Sequence, residues 1–138
     1  MINALIAYES QTGNTRRAAE TIAETVRGMG GEAVVKRVAD VKPVDVQAAS
    51  AVFVGTWVHG YILFGVRPAG AQKWVPMLPP LDGKPVGAFC TYAFHPHRAL
   101  QTFAALLEKR GAIIRAQRAF HRRNLSKGVE EFVRAVVG

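Results

Sequence analysis

The sequence has a single cysteine, Cys90, among 138 residues. One cysteine excludes a disulfide framework and a cysteine-rich metal site, and it fits a reducing compartment. Long apolar runs are also missing, because no stretch approaches the ~20 apolar residues that a bilayer-spanning helix needs. The apolar start of the chain has neither a basic segment nor a cleavage site, so we predict no signal peptide. These absences favour a soluble, cytoplasmic protein without a membrane span.

Acidic residues are scarce relative to basic ones. Ten Asp and Glu stand against 18 Lys and Arg, which gives a formal net charge of +8. The imbalance is concentrated in residues 95–138, which contain nine Lys/Arg and three acids. Such a field attracts acidic partners or polyanions, but it carries no information about fold. Apolar residues at 49% and charged residues at 20% are typical of a globular protein, and the length predicts one domain over residues 1–138.

Two common nucleotide-binding signatures are missing as well. Neither G-x-x-x-x-G-K-[ST] nor G-x-G-x-x-G occurs, which excludes a Walker loop and argues against a dinucleotide fingerprint. Instead, the apolar run near the start of the chain leads into S-Q-T-G-N-T, which comprises Ser10, Gln11, Thr12, Gly13, Asn14 and Thr15. A loop that enters a helix N-terminus offers backbone N–H donors and the positive end of the helix dipole to a phosphate. We therefore predict a phosphate site here; the alternative is an ordinary Ser/Thr-capped helix start.

Strand-like and helix-like patterns alternate along the chain. Apolar or alternating segments predict five strands, at residues 2–7, 32–38, 51–55, 86–89 and 112–120. Helical spacing predicts helices at residues 18–29, 68–77, 100–107 and 129–136, with at most a short helix between 40 and 50, broken by Pro43. This alternation predicts an α/β fold in which helices cover both faces of a parallel sheet.

The motif [ST]-x-T-G-x-T directly after the first strand resembles the phosphate-binding loop of the flavodoxin family. Ser10, Thr12, Gly13 and Thr15 match the motif in full. The resemblance spans the whole chain and is to the short-chain flavodoxins, because no long insertion interrupts the fifth strand. It implies FMN as cofactor and a three-layer, flavodoxin-like, doubly wound five-stranded parallel sheet with strand order 2-1-3-4-5. In such sheets ligands lie beyond the carboxyl ends of the strands.

The segment after the third predicted strand is a second part of the candidate FMN site. It comprises Thr56, Trp57, Val58, His59 and Gly60. Its Gly-Thr-Trp start is similar to the flavodoxin segment in which a Thr-Trp pair follows strand three. Trp57 has a large π-face suited to stacking on a flavin ring, and the alternative is that it packs on the domain's own surface.

The segment after the fourth predicted strand is the third part of the candidate site. It comprises Thr91, Tyr92, Ala93 and Phe94. Either Tyr92 or Phe94 supplies the second stacking ring, and the backbone of this segment is expected near the pyrimidine edge of the flavin. Cys90, at the end of the strand, is predicted to be buried and structural.

Two features depart from the flavodoxin pattern. The family typically has a glycine after the aromatic residue of the strand-three loop, and its peptide flips so that the carbonyl accepts the proton on flavin N5. Val58 stands at that place, and a β-branched residue at positive φ costs about 1–2 kcal/mol, so we predict a hindered flip. The family also surrounds the flavin with acids. Here the corresponding segments carry basic or neutral residues instead, namely His59, His95, His97 and Arg98, which predicts a less negative reduction potential.

The remaining histidines have simpler interpretations. Four histidines without a cysteine or carboxylate cluster predict no metal site, and His95 and His97 are predicted to face solvent or a partner. The basic segment His121-Arg122-Arg123-Asn124 is predicted to lie away from the flavin site as a solvated turn or partner patch.

The favoured function is an FMN-binding electron-transfer protein whose basic surface meets an acidic redox partner, a reductase or an oxidase. The alternative is an FMN-dependent oxidoreductase on the same fold, similar to flavodoxin-like protoporphyrinogen oxidase or to a quinone reductase. No catalytic acid–base pair is recognisable in the sequence, so we predict no catalytic residues. A third possibility, a nucleic-acid-binding basic protein, ranks last because no recognition module accompanies the charge.

Overall fold

The structure, a computed structural model, describes residues 1–10, 13–59, 67–68, 70–93, 95–96 and 98–138. Within these ranges the strands are β1 (Asn3–Tyr8), β2 (Glu32–Arg37), β3 (Ala51–His59), β4 (Arg67–Pro68), β5 (Pro85–Tyr92) and β6 (Ile113–His121). The α-helices are α1 (Asn14–Gly28), α2 (Pro43–Ala48), α3 (Ala71–Trp74), α4 (Ala99–Lys109) and α5 (Val129–Val137). Single 3₁₀ turns follow at Val38–Asp40 and Val75–Met77. No helix in the described part of the chain is long and apolar enough to cross a membrane.

Five parallel strands form the sheet in the order β2-β1-β3-β5-β6, and the two-residue strand β4 pairs antiparallel with the end of β3. Counted without β4, this is the predicted order 2-1-3-4-5, which is thereby confirmed. The connections run in opposite directions across the sheet on either side of β1. The carboxyl ends of β1 and β3 therefore form the switch point, where α/β sheets of this type bind ligands.

Two apolar cores lie on opposite faces of the sheet, because successive side chains of a strand point to opposite sides. Ile6 and Phe53 face α1 and α5, where they pack with Ile22 and Phe132. Their strand neighbours face α3 and α4 and form the second core, which includes Leu5, Val54, Ala88, Phe103 and Leu107. Helices thus cover both faces, and the predicted three-layer α/β architecture is confirmed.

Strands β3 and β5 extend beyond their predicted ends at Gly55 and Phe89. A glycine commonly marks the end of a strand, but Gly55 is required inside β3, since a Cβ there would overlap the ring of Phe89. Beyond Gly55, Thr56 and Trp57 continue the parallel pairing with Cys90 and Thr91, and the last two residues of β3 pair with β4. The sequence pattern missed this extension because pairing with distant strands, not local alternation, sustains it.

Two prolines act differently from the prediction. Pro68 was expected to open a helix, but it pairs with Val58 in β4, and α3 begins only after Gly70, whose φ of 66° makes it the N-cap. Pro43 was expected to break a short helix, yet it occupies the first turn of α2. A first-turn proline needs no N–H donor, so it is well suited to start a helix.

Candidate functional site

The chain leaves β1 at the switch point through a loop that ends at the N-terminus of α1. Ser10 Oγ accepts a hydrogen bond from the Gly13 N–H at 3.0 Å, and the Ser10 N–H donates to the Glu9 carboxylate at 3.1 Å. Gly13 is the N-cap of α1 with φ of 91°, a left-handed conformation that glycine adopts without steric cost. A glycine cap brings no side-chain acceptor to the first turn of the helix. This arrangement suits a ligand that supplies the anionic cap itself.

A pair of buried threonines joins this helix N-terminus to the end of β5. The hydroxyl oxygens of Thr15 and Thr91 are 2.8 Å apart, and both side chains are buried. Each hydroxyl has one proton and can accept two, so one proton lies between the oxygens and the other is directed elsewhere. Two of the three predicted parts of the site are therefore in direct contact.

A third threonine lies at the same edge with its hydroxyl unsatisfied. Thr56 is fully buried, and its Oγ1 has no hydrogen-bond partner among the described residues. Burying a hydroxyl without a partner costs about 1–3 kcal/mol, and such groups concentrate where a ligand completes the structure. The hydroxyls of Thr15 and Thr91, beside the glycine-capped helix, fit the phosphate of FMN, and the hydroxyl of Thr56 is left for another polar group.

The segments predicted as loops after strands three and four are partly strand. Residues 56–59 belong to β3 and residues 91–92 to β5, and Trp57, which is half-buried, pairs with Thr91. Val58 pairs with Pro68 and so lies within β3. The expectation that Val58 hinders the peptide flip stays a prediction. The first position beyond the strand is Gly60, which is outside the described residues.

His121 lies beside the candidate site, which corrects the prediction that residues 121–124 lie away from it. Strand β6 runs one residue further than its apolar pattern indicated and pairs His121 with Tyr92. The two rings are perpendicular with centroids 5.2 Å apart. His121 Nε2 is 2.9 Å from the Ala93 carbonyl oxygen, and Arg122 N–H donates to the Tyr92 carbonyl at 2.9 Å. The signal available in the sequence was that adjacent parallel strands end at one edge.

Cys90 is buried beneath this edge, as predicted. Burial raises the pKa of its thiol to about 12, so the sulfur stays protonated and unreactive at neutral pH. The prediction of a structural cysteine is confirmed. Among the described residues, no three His, Cys, Asp or Glu side chains form a group that could hold a metal ion.

The other predicted site residues divide into two groups. The Asn14 carboxamide oxygen accepts a hydrogen bond from the Arg17 guanidinium, which holds that side chain at the start of α1. The rest lie wholly or partly outside the described residues: Gln11, Thr12, Gly60, Phe94 and, for its side chain, His59. Their roles stay predictions, as does the choice between Tyr92 and Phe94.

Comparisons with known proteins agree with this fold. A two-electron reduced Megasphaera elsdenii flavodoxin has a TM-score of 0.80 at 23% identity, over 97% of this chain and 98% of that one. Oxidised flavodoxin 2 from Bacillus cereus has a TM-score of 0.73 at 22% identity, over 97% of both chains. A flavodoxin from the domain Archaea has a TM-score of 0.70 at 20% identity, over 99% of this chain and 94% of that one.

No curated protein sequence matches the chain. A family model described as "Flavodoxin domain" does match, and it covers residues 5–128, from the middle of β1 to the N-cap of α5. The match thus includes the phosphate-loop motif, the switch point and the ends of all the parallel strands. The chain belongs to the flavodoxin family, the FMN-binding electron-transfer proteins.

Proposed function

We propose that this flavodoxin carries electrons between protein partners through an FMN held at the carboxyl edge of its sheet. The main support for this site is the contact between Thr15 and Thr91, which joins the N-terminus of α1 to the end of β5. FMN supplies the redox chemistry, and the protein binds, orients and tunes it. A cytoplasmic location belongs to the proposal and is supported by the single, buried cysteine.

The phosphate is assigned to the start of α1. In the proposal, donors of the loop and of the first helical turn surround it, contributed by Ser10, Gln11, Thr12, Gly13, Asn14 and Thr15. Ser10 already orders the loop through the Gly13 N–H. The hydroxyl proton that the Thr15–Thr91 pair does not use is the one directed to the phosphate.

The ring system is assigned to the ends of β3 and β5. In the proposal it is held by Thr56, Trp57, Val58, His59 and Gly60 on one side and by Thr91, Tyr92, Ala93 and Phe94 on the other. Trp57 and Tyr92 lie near the carboxyl ends of strands that are neighbours in the sheet, which supports their assignment to one ligand. The buried hydroxyl of Thr56 gains the polar partner that the described residues do not give it.

The first experiment is a titration of the purified protein with FMN, followed by flavin absorbance and by quenching of flavin fluorescence. Thr12→Asp places a carboxylate beside the phosphate and should weaken binding about 100-fold, the effect of a like charge at close range. Thr102→Asp makes the same substitution at an exposed position of α4 and should leave the affinity unchanged. Equal affinity of Thr12→Asp and the wild type would remove the phosphate assignment.

The partner is proposed to be acidic where it docks. Arg98, Arg122 and Arg123 are exposed, and we call these three residues the basic rim. Arg98 is the N-cap of α4, just beyond the β5 segment, and the backbone of Arg122 is bonded to Tyr92. Positive charge therefore borders the site, and complementary charge on a partner accelerates docking in a salt-dependent way.

The rim is tested by charge reversal. The FMN-loaded, photoreduced protein is mixed with an acidic cytochrome and with a basic cytochrome of similar size. We expect faster transfer to the acidic acceptor, and Arg123→Glu should slow it about tenfold at low salt. Arg115→Glu, an equal charge change near the opposite end of β6, is the matched control. Equal rates with both acceptors would refute an acidic partner, and steady turnover of NAD(P)H without a protein partner would favour the enzyme alternative.

A further inference from the structure

The ring of His121 makes three contacts, two with the end of β5 and one with the turn after β6. Its ring lies perpendicular to that of Tyr92, at a centroid distance of 5.2 Å. Nε2 is 2.9 Å from the carbonyl oxygen of Ala93, and Nδ1 is 3.1 Å from the backbone nitrogen of Arg123. His121 is itself fixed by the strand pairing between β6 and β5. The imidazole thus links the turn after β6 to Ala93, the residue that follows β5.

The two backbone partners determine which nitrogen carries the proton. The Arg123 N–H can only donate, so Nδ1 must present its lone pair. The Ala93 carbonyl can only accept, so Nε2 must carry the hydrogen. The neutral Nε2–H form is the one protonation state that satisfies both bonds, and a ring rotated by 180° would lose both. Hydrogen bonding therefore fixes the orientation of the ring, and with it the edge against which Tyr92 packs.

We propose that His121 is a positioning residue for the flavin: it holds the Tyr92 ring and the Ala93 backbone in place before FMN binds. The inference rests on the proposed function, in which Tyr92 and Ala93 line the ring site. Fixing a binding segment in advance removes part of the ordering cost of association, which strengthens binding. It also fixes the distance and angle of an aromatic ring beside the flavin, and so contributes to its reduction potential.

Three substitutions separate the contacts of the imidazole. His121→Phe keeps a ring against Tyr92 and removes both hydrogen bonds. His121→Gln places an amide N–H near the position of Nε2 and can retain the bond to Ala93. His121→Asn places a carbonyl near the position of Nδ1 and can retain only the bond from Arg123. Arg115→Ala is the control, because Arg115 is exposed near the opposite end of β6.

If His121 positions the flavin site, FMN affinity should follow the bond to Ala93. We expect the dissociation constant to rise about fivefold in His121→Phe and His121→Asn, which lose the bond to Ala93, and by less than about twofold in His121→Gln, which keeps it, since a hydrogen bond is worth roughly a fivefold factor. Arg115→Ala should bind like the wild type. In the wild type, ¹⁵N NMR should show Nε2 protonated and Nδ1 unprotonated, and the flavin reduction potential should shift in His121→Phe but not in Arg115→Ala.

The outcomes distinguish the two proposals. If the wild type binds no FMN at micromolar concentration, the proposed function fails, and positioning is then judged by exchange of the Arg123 amide proton. Slower exchange in the wild type than in His121→Gln supports a fixed imidazole, whereas equal exchange overturns it. If the wild type binds FMN, equal affinity and equal potential in His121→Phe and His121→Gln overturn the inference. Should His121→Phe not fold, His121→Asn takes its place against His121→Gln.

Discussion

The two edges of the sheet are held together by different kinds of contact. At the amino edge, long basic side chains bind carbonyl oxygens at the ends of helical segments: Arg110 Nε donates to Leu78 at 2.6 Å, and Lys84 Nζ donates to Ala49 at 2.7 Å. A backbone bond from Ser50 N–H to the Asn3 carbonyl, at 2.8 Å, adds to this set. Cations at helix carboxyl ends are stabilising, so this edge contributes to the stability of the empty protein.

At the carboxyl edge the polar groups are less completely satisfied. Gly13 caps α1 without a side chain, and the Thr56 hydroxyl is buried without a partner among the described residues. The same fold therefore places stabilising contacts at one edge and polar groups suited to a ligand at the other. This is the division expected of a sheet whose ligands bind at the carboxyl ends of its strands, since binding sites are commonly less stable than the scaffold that supports them.

The largest effect on stability should come from removing a hydrogen bond at the amino edge. Arg110→Ala deletes a charged donor from a half-buried hydrogen bond and should lower the free energy of unfolding by about 1.5–3 kcal/mol. FMN affinity should stay the same, because the site lies at the other edge. Urea unfolding of the apo protein measures the loss, and Arg115→Ala, at an exposed position of β6, is the control. If both variants unfold at the same urea concentration, the hydrogen bonds of the amino edge do not stabilise the empty protein.

The sequence predicted the fold better than it predicted the contacts at the carboxyl edge. Apolar periodicity predicted the strands, because burial between two helical layers dictates which positions are apolar, and the resemblance to flavodoxins implied their order. The phosphate motif and Cys90 were placed where the structure has them, since both depend on local sequence. The extension of β3 past Gly55 depends instead on pairing with β5 and β4. The contact of His121 likewise depends on Tyr92, 29 residues earlier in the chain, and no local pattern reveals it.

A second test measures whether water reaches the protein interior just beneath the carboxyl edge. Burial raises the pKa of Cys90 from 9.0 to about 12, so the unfolded chain loses its thiol proton at a lower pH than the folded protein. The contribution is fully present below pH 9 and is lost as the pH rises towards 12. By pH 10 the loss amounts to about 1 kcal/mol. Unfolding measured from pH 8 to 10 should show this loss in the wild type but not in Cys90→Ala, and an equal loss in both would mean that water reaches the thiol.

A third test asks whether removing a polar group raises or lowers the free energy of unfolding at each edge. Thr56→Val removes the unsatisfied hydroxyl at nearly constant volume and should raise the stability of the apo protein by about 1 kcal/mol. At the amino edge a deletion destabilises, so the signs are opposite. The same variant should weaken FMN binding about fivefold if the hydroxyl bonds the cofactor. Thr102→Val, at an exposed position, should change neither quantity. A destabilised Thr56→Val would show that the hydroxyl is satisfied in the empty protein.

The smallest effect is expected at the flank of the sheet. The hydrogen-bond acceptor there is a titratable carboxylate, whereas the acceptors at the amino edge are backbone carbonyls. The Asp45 carboxylate accepts the Lys42 N–H at 2.8 Å and the Lys36 ammonium at 3.0 Å. These bonds, the backbone bond foremost, hold the pKa of Asp45 below its usual 3.8 against a smaller opposing effect of burial. A lowered pKa stabilises the fold above pH 3.8, and that contribution disappears as the pH falls through the folded value.

Asp45→Asn cannot titrate, so its stability difference from the wild type should shrink below pH 4, as measured by urea unfolding between pH 3 and 6. The bonds of Arg110 and Lys84 end on uncharged carbonyls, and acid leaves them intact. Arg110→Ala should therefore keep its full deficit at pH 3, while the deficit of Asp45→Asn shrinks. If the stability deficit of Arg110→Ala also shrinks in acid, in parallel with that of Asp45→Asn, the two regions unfold in acid as one unit. The amino edge would then make no separate, pH-independent contribution to stability.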